Sequence, residues 1–177
     1  MGKNKNLLTL LICSLTLFMY NLAQAQEPTK GETEAWLNGK FNDYYVFLVS
    51  TYSNGETISR EYTTTFKIRN CACSFREVYN SSTKPYSTEE SEFNFAKMTD
   101  VKVEESNNSK AYYLEIRSFN DERVVLVRRI YHQDGDKLEE VKENKIVIYF
   151  TDRVFAERAA KALQHYIKLC GGKKEKF

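Results

Sequence analysis

Cys71, Cys73 and Cys170, with His132 and His165, are the side chains in this sequence best equipped for chemistry. A C-x-C pair with a distant third cysteine admits three outcomes. Two thiols can oxidise, three can join a histidine around zinc, or one thiolate can attack a substrate beside a histidine base. Zinc needs a fourth ligand, and neither histidine is placed to supply it: His132 is remote from the cysteines, and His165, though near Cys170 in sequence, lies on the polar side of its helix. No metal site is therefore expected, and no cofactor. Cysteines two apart on a strand point the same way and do not bond each other. Either can reach Cys170. The expected disulfide is therefore Cys71 to Cys170, with Cys73 as the alternative partner, and one thiol is left over. Closing so long a loop contributes about 4–5 kcal/mol in the chain-entropy picture.

Nucleophilic catalysis requires a histidine in contact with the nucleophile. His132 falls at a predicted strand end and His165 on the polar flank of a helix, so both read as surface residues. The acidic pairs Glu89 and Glu90, Glu104 and Glu105, and Glu139 and Glu140 are adjacent in sequence. Neighbours on a strand face opposite sides, so such pairs do not converge on one substrate. Seven scattered glycines build no phosphate-binding loop. No catalytic residue is assigned.

The elements around these residues begin with the last long segment, Thr151 to Gly172. Phe155, Ala159, Ala162, Leu163, Tyr166, Ile167 and Cys170 recur at spacings of three and four, on one helical face. Arg153, Glu157, Arg158, Lys161, Gln164 and Lys168 take the other. Thr151 or Asp152 can cap its start and Gly171 its end. At the other end of the chain, Lys3 and Lys5 precede an apolar run from Leu7 to Tyr20 and the small residues of Ala23-Gln24-Ala25. That is a signal-peptide pattern for residues 1–25, too short for a good spanning helix. Cleavage there leaves residues 26–177 as a single domain with no membrane insertion. It also removes two lysines and no acid, taking the formal net charge from +2 to zero. A neutral surface argues against nucleic acid as a partner.

Between these ends, residues 26–31 read as a leader and Thr33 to Phe41 as a short helix capped by Thr33, with Trp36 in a core seam. Tyr44 to Tyr52 fits a helix or a strand. Residues 60–69 and 71–79 alternate as two antiparallel strands around a turn at Arg69 and Asn70. Asn80 to Glu90 and His132 to Asn144 read as polar loops. Further strands begin at Phe93, Val103, Tyr112, Val124 and Lys145, giving six or seven. Tyr44, Tyr45, Tyr79, Tyr86 and Tyr113 are candidate exposed aromatics. The expected class is α+β, mainly β: an antiparallel curled sheet or small barrel with a short N-terminal helix and a C-terminal capping helix.

The segments F-K-I-R-N-C (Phe66 to Cys71), F-A-K-M-T-D-V (Phe95 to Val101) and A-E-R-A-A-K-A-L-Q-H-Y-I-K-L-C (Ala156 to Cys170) are, with E-A-W-L-N-G-K-F, similar to uncharacterised exported proteins of Bacteroides-type Gram-negative bacteria. The order of elements resembles the pleckstrin-homology-like fold. That resemblance implies lipid or peptide binding by analogy. Lys67 and Arg69, with Glu61 and Glu77 nearby, make no basic cluster for inositol phosphates. The expected function is a non-enzymatic binding module, periplasmic or extracellular, favouring a protein or peptide partner at an open sheet edge or a groove beside the terminal helix. The alternatives are an enzyme with a site assembled near Cys73 and a lipid or membrane-surface binder.

Overall fold

The structure, a computed structural model, describes residues 27–42, 44–51, 54–82, 87–107, 110–132 and 137–172. The signal-peptide segment, Tyr86 and the tail beyond Gly172 lie outside them.

Helix α1 (Lys30–Lys40) starts three residues earlier than its hydrophobic pattern suggests. Thr29, not Thr33, is the cap: its hydroxyl accepts from the Glu32 amide while the Glu32 carboxylate accepts from the Thr29 amide. This reciprocal pair satisfies two amides that the first turn would otherwise leave open. Thr33 is buried instead, donating to the Thr29 carbonyl.

Among the described residues nine strands follow: β1 (Tyr44–Thr51), β2 (Thr57–Arg69), β3 (Ala72–Ser81), β4 (Ser87–Asn94), β5 (Met98–Glu105), β6 (Tyr112–Ser118), β7 (Val125–Tyr131), β8 (Lys137–Glu143) and β9 (Lys145–Phe150). All pairings are antiparallel. They form a six-stranded sheet in the order β1-β2-β3-β4-β7-β8 and a three-stranded sheet in the order β5-β6-β9. Among the described residues neither sheet closes on itself, so the small-barrel expectation gives way to two open antiparallel sheets. The two polar loops also need correction. Ser87–Asn94 and Lys137–Glu143 are strands whose glutamates pair across to arginines. Charge concealed their alternation.

The β2–β3 hairpin turns through Asn70 and Cys71, which have φ of 50° and 69°. Two consecutive left-handed residues match the right-handed twist of the flanking strands. Cys71 therefore sits in the turn, not on β3. The core lies between the two sheets under helix α2 (Arg153–Leu169), and joins Phe66, Phe75, Phe93, Phe95, Leu114 and Ile148 to Leu163 and Tyr166. Asp152 caps α2 by accepting from the Phe155 amide. Gly171 (φ 80°) ends it, and Gly172 passes so close to β5 that a Cβ would lie 2.8 Å from the Met98 carbonyl oxygen.

Candidate functional site: a free sheet edge

The cysteines resolve first. Cys71 and Cys170 form a disulfide that spans 99 positions, with Cα atoms 5.7 Å apart. Placing Cys71 in the turn aims it at the end of α2, while Cys73, on β3, is buried and free. Cys73 is therefore not the partner of Cys170. Burial pushes its thiol well above the usual range, which disfavours the thiolate a nucleophile needs. The histidines are elsewhere. His132 Nε2 lies 3.5 Å from the Thr88 hydroxyl, and His165 Nε2 donates to the Pro28 carbonyl at 2.7 Å, tying α2 to the segment before α1. No cluster of three His, Cys, Asp or Glu side chains is placed to hold a metal ion among the described residues.

The candidate aromatics also separate. Tyr44 stacks on Phe155 (5.2 Å between centroids) and Tyr79 packs on Tyr62. Tyr113 donates to Glu104. Tyr45 alone among those described is widely exposed, at 56%. It belongs to β1, Y-Y-V-F-L-V-S-T, which buries Val46, Leu48 and Ser50 and turns Tyr45, Phe47 and Val49 outward. Phe47 and Val49 are each about half exposed (47% and 48%). An alternating strand with one face in the core normally puts polar residues on the other. β1 does not.

β1 pairs with β2 along one side and has no strand on its other side among the described residues. In an antiparallel ladder every second residue then points its N–H and C=O outward. The adjoining part of β2 is treated differently. Beyond Tyr44, where β1 no longer covers it, α1 takes over: the Asn38 side chain accepts from the Ile68 amide (2.8 Å) and donates to the Ile68 carbonyl (2.9 Å). The Phe41 carbonyl accepts from the Phe66 amide. The β5 edge is likewise covered, with Gln164 of α2 accepting from the Val101 amide and donating to the Thr99 carbonyl. Gln164 reads as a polar-face residue in sequence, yet it closes an edge.

Beside the free edge runs a groove of about 570 Å³, lined by Phe47, Leu48, Val49 and Thr51 on one wall and Glu105, Ser106, Asn107 and Lys110 on the other. The second wall is the β5–β6 connection. One side of the groove is therefore an apolar strand, and its rim carries one acid and one base.

A second groove, about 540 Å³, lies between the helices and includes Trp36, Ala162, Arg158, Lys161 and His165. Trp36 sits half-buried in this seam, its ring 6.5 Å from that of Phe155. The two cations project from the polar face of α2.

One polar centre escapes the sequence pattern. Glu77 lies on the core face of β3, opposite Thr64 and Glu89, and not on the Lys67 side. Its Oε2 is shielded and has no hydrogen-bond partner. Burial, reinforced by the nearby Glu89 charge, pushes its carboxyl up to about 8. Arg129 on β7 bridges both Glu89 and Glu143. Comparison with known protein families, curated proteins and solved structures finds no match.

Proposed function

We propose that this chain is a non-enzymatic interaction module that receives an extended protein segment at the β1 edge. The observation that carries the reading is β1 itself: eight residues without a formal charge, three apolar side chains turned to solvent, and one side unpaired. Main-chain hydrogen bonds would supply affinity for such a segment and alternate side chains its selectivity. An uncharged segment with apolar residues at every second position fits best, because it meets Tyr45, Phe47 and Val49 on one face and leaves no charge unpaired.

The module is read as exported, to the periplasm or beyond the cell. The charge and apolar pattern of residues 1–25 supports this, and so does the Cys71–Cys170 disulfide, since such bonds persist in oxidising compartments. Intact mass of the chain from its producing cells tests it, with cleavage after Ala25 expected. The pleckstrin-homology-like architecture is kept as a proposal supported by the succession of antiparallel strands ending in a capping helix.

The decisive experiment uses a peptide of the β1 octet flanked by solubilising lysines, with binding read by fluorescence anisotropy. Saturable binding in the micromolar range is expected, abolished by Phe47→Lys and unaffected by Leu138→Lys on β8. Equal binding to both variants would refute the edge as the site.

A further inference from the structure

Resting on the strand-addition reading, we infer that the segment received at β1 is the β1 strand of a second copy of this chain, giving an isologous antiparallel pair. β1 is the only one of the nine described strands with no Lys, Arg, Asp or Glu. A partner for an uncharged edge must itself be uncharged, or it leaves a desolvated charge behind. The chain's own β1 meets that condition, and every copy carries it.

Parity then restricts the register to pairings centred on a residue, and of these we take the one centred on Phe47. A continuous sheet requires outward residues opposite outward residues and core residues opposite core residues. Setting Phe47 opposite Phe47 of the second copy achieves this. Tyr45 then faces Val49 of the other copy, and Val46 faces Leu48, so aromatic residues meet a β-branched or aromatic partner across the strands. Seven residues, 44–50, are paired in each copy. A two-fold axis through the Phe47 pair makes the contact closed, which limits assembly to a dimer instead of a fibre. The groove beside β1 leaves room along the edge, and its rim carries one acid, Glu105, and one base, Lys110, and so adds no net charge to the contact.

Sedimentation velocity on the disulfide-intact chain, as isolated from its producing cells, tests the pair. A monomer–dimer equilibrium in the micromolar range is expected. Val49→Lys should raise the dimer dissociation constant by roughly 100-fold or more, because it sets unpaired charge into the contact. Leu138→Lys should leave it unchanged. The register has its own readout. Phe47→Cys should cross-link copies readily under oxidising conditions, since directly opposed Cα atoms lie about 4.5–5.5 Å apart. Tyr45→Cys should not, its counterpart being four residues away along the strand. A strictly monomeric chain that still binds the β1 peptide would overturn the inference while leaving strand addition standing. A monomer that binds no peptide would remove both. A dimer indifferent to Val49→Lys, or cross-linked equally from positions 45 and 47, would also overturn it.

Discussion

The six-stranded sheet ends in two edges of opposite chemistry. β1 has no charged residue, whereas β8, K-L-E-E-V-K-E, has five in seven. The difference continues inward. Arg128 and Arg129, adjacent on β7, point to opposite faces, and each bridges two carboxylates: Arg128 holds Glu92 and Glu140, and Arg129 holds Glu89 and Glu143. Near β1 the neighbours are Thr63, Tyr62 and Ser59, with one acid, Glu61 opposite Phe47, and one base, Arg60 opposite Leu48. Charge on an edge strand discourages pairing with another chain, because the incoming strand must desolvate it. One edge of the sheet is thus closed to strand addition and the other left open. An open edge is a hazard unless it has a use, and that is the physical ground for reading β1 as an interface.

Four perturbations test whether the two halves are as different as this picture requires. The largest effect should come from the element they share. Cys170→Ser removes the staple between the β2–β3 turn and the end of α2, and is expected to cost about 4–5 kcal/mol in urea unfolding. Hydrogen exchange should accelerate at both edges together. Acceleration confined to one edge would mean that the halves fold as separate units.

The second perturbation is pH, and it should act at the middle of the six-stranded sheet, on β3 and its neighbour β4. Glu77 has an ordinary carboxyl in the unfolded chain and one raised to about 8 in the fold. Below about pH 4.5 both states hold the proton, so the native state is not penalised. As pH rises toward 8 the unfolded chain releases its proton first, and stability falls, by about 3–5 kcal/mol over that interval. Glu77→Gln keeps the side chain neutral and should flatten the profile of denaturation midpoint against pH. A variant with the same slope as the parent would show that Glu77 is not the titrating group. Amides of β3 and β4 should lose protection with rising pH before those of β1.

Arg129→Ala comes third. Its loss leaves Glu89 and Glu143 without this partner. Breaking a fully buried pair costs about 3–5 kcal/mol, and the partial exposure of Arg129 lowers the expectation to about 2 kcal/mol. Equilibrium unfolding with and without added salt checks it. A loss below ~0.5 kcal/mol would put this network among ordinary surface pairs and weaken the contrast between the halves.

How far these features could be read from sequence follows the same divide. The apolar elements were legible. The α2 pattern, the alternation of β2 and the Asn70 turn each depend on residues whose burial matches their hydrophobicity. The charged elements were not. β4 and β8 read as loops because Glu and Lys are poor strand signals, and only their cross-strand arginines, distant in sequence, give them reason to extend. Glu77 was hidden likewise: its register opposite Thr64 and Glu89 decides its burial, and register is not local information. The Cys71 pairing was legible, but its cause was not. The disulfide exists because Cys71 occupies a left-handed turn position, which directs it toward α2 instead of along the strand. The open edge was the hardest to see. Y-Y-V-F-L-V-S-T suits a buried strand or helix equally, and its exposure depends on the absence of a neighbour.

The smallest effect on stability is expected where the effect on association is greatest. Val49 is half exposed on the outer face of β1, so Val49→Lys removes little buried surface and places its ammonium in water. A change within ~0.5 kcal/mol is expected in urea unfolding, as for most surface substitutions. If the same variant also loses self-association, β1 supports contact with another chain and adds little to its own fold. A loss of 2 kcal/mol or more would mean that Val49 is held by the fold. The exposed stripe on β1 would then be part of the core's margin, and the contrast with β8 would be one of composition alone.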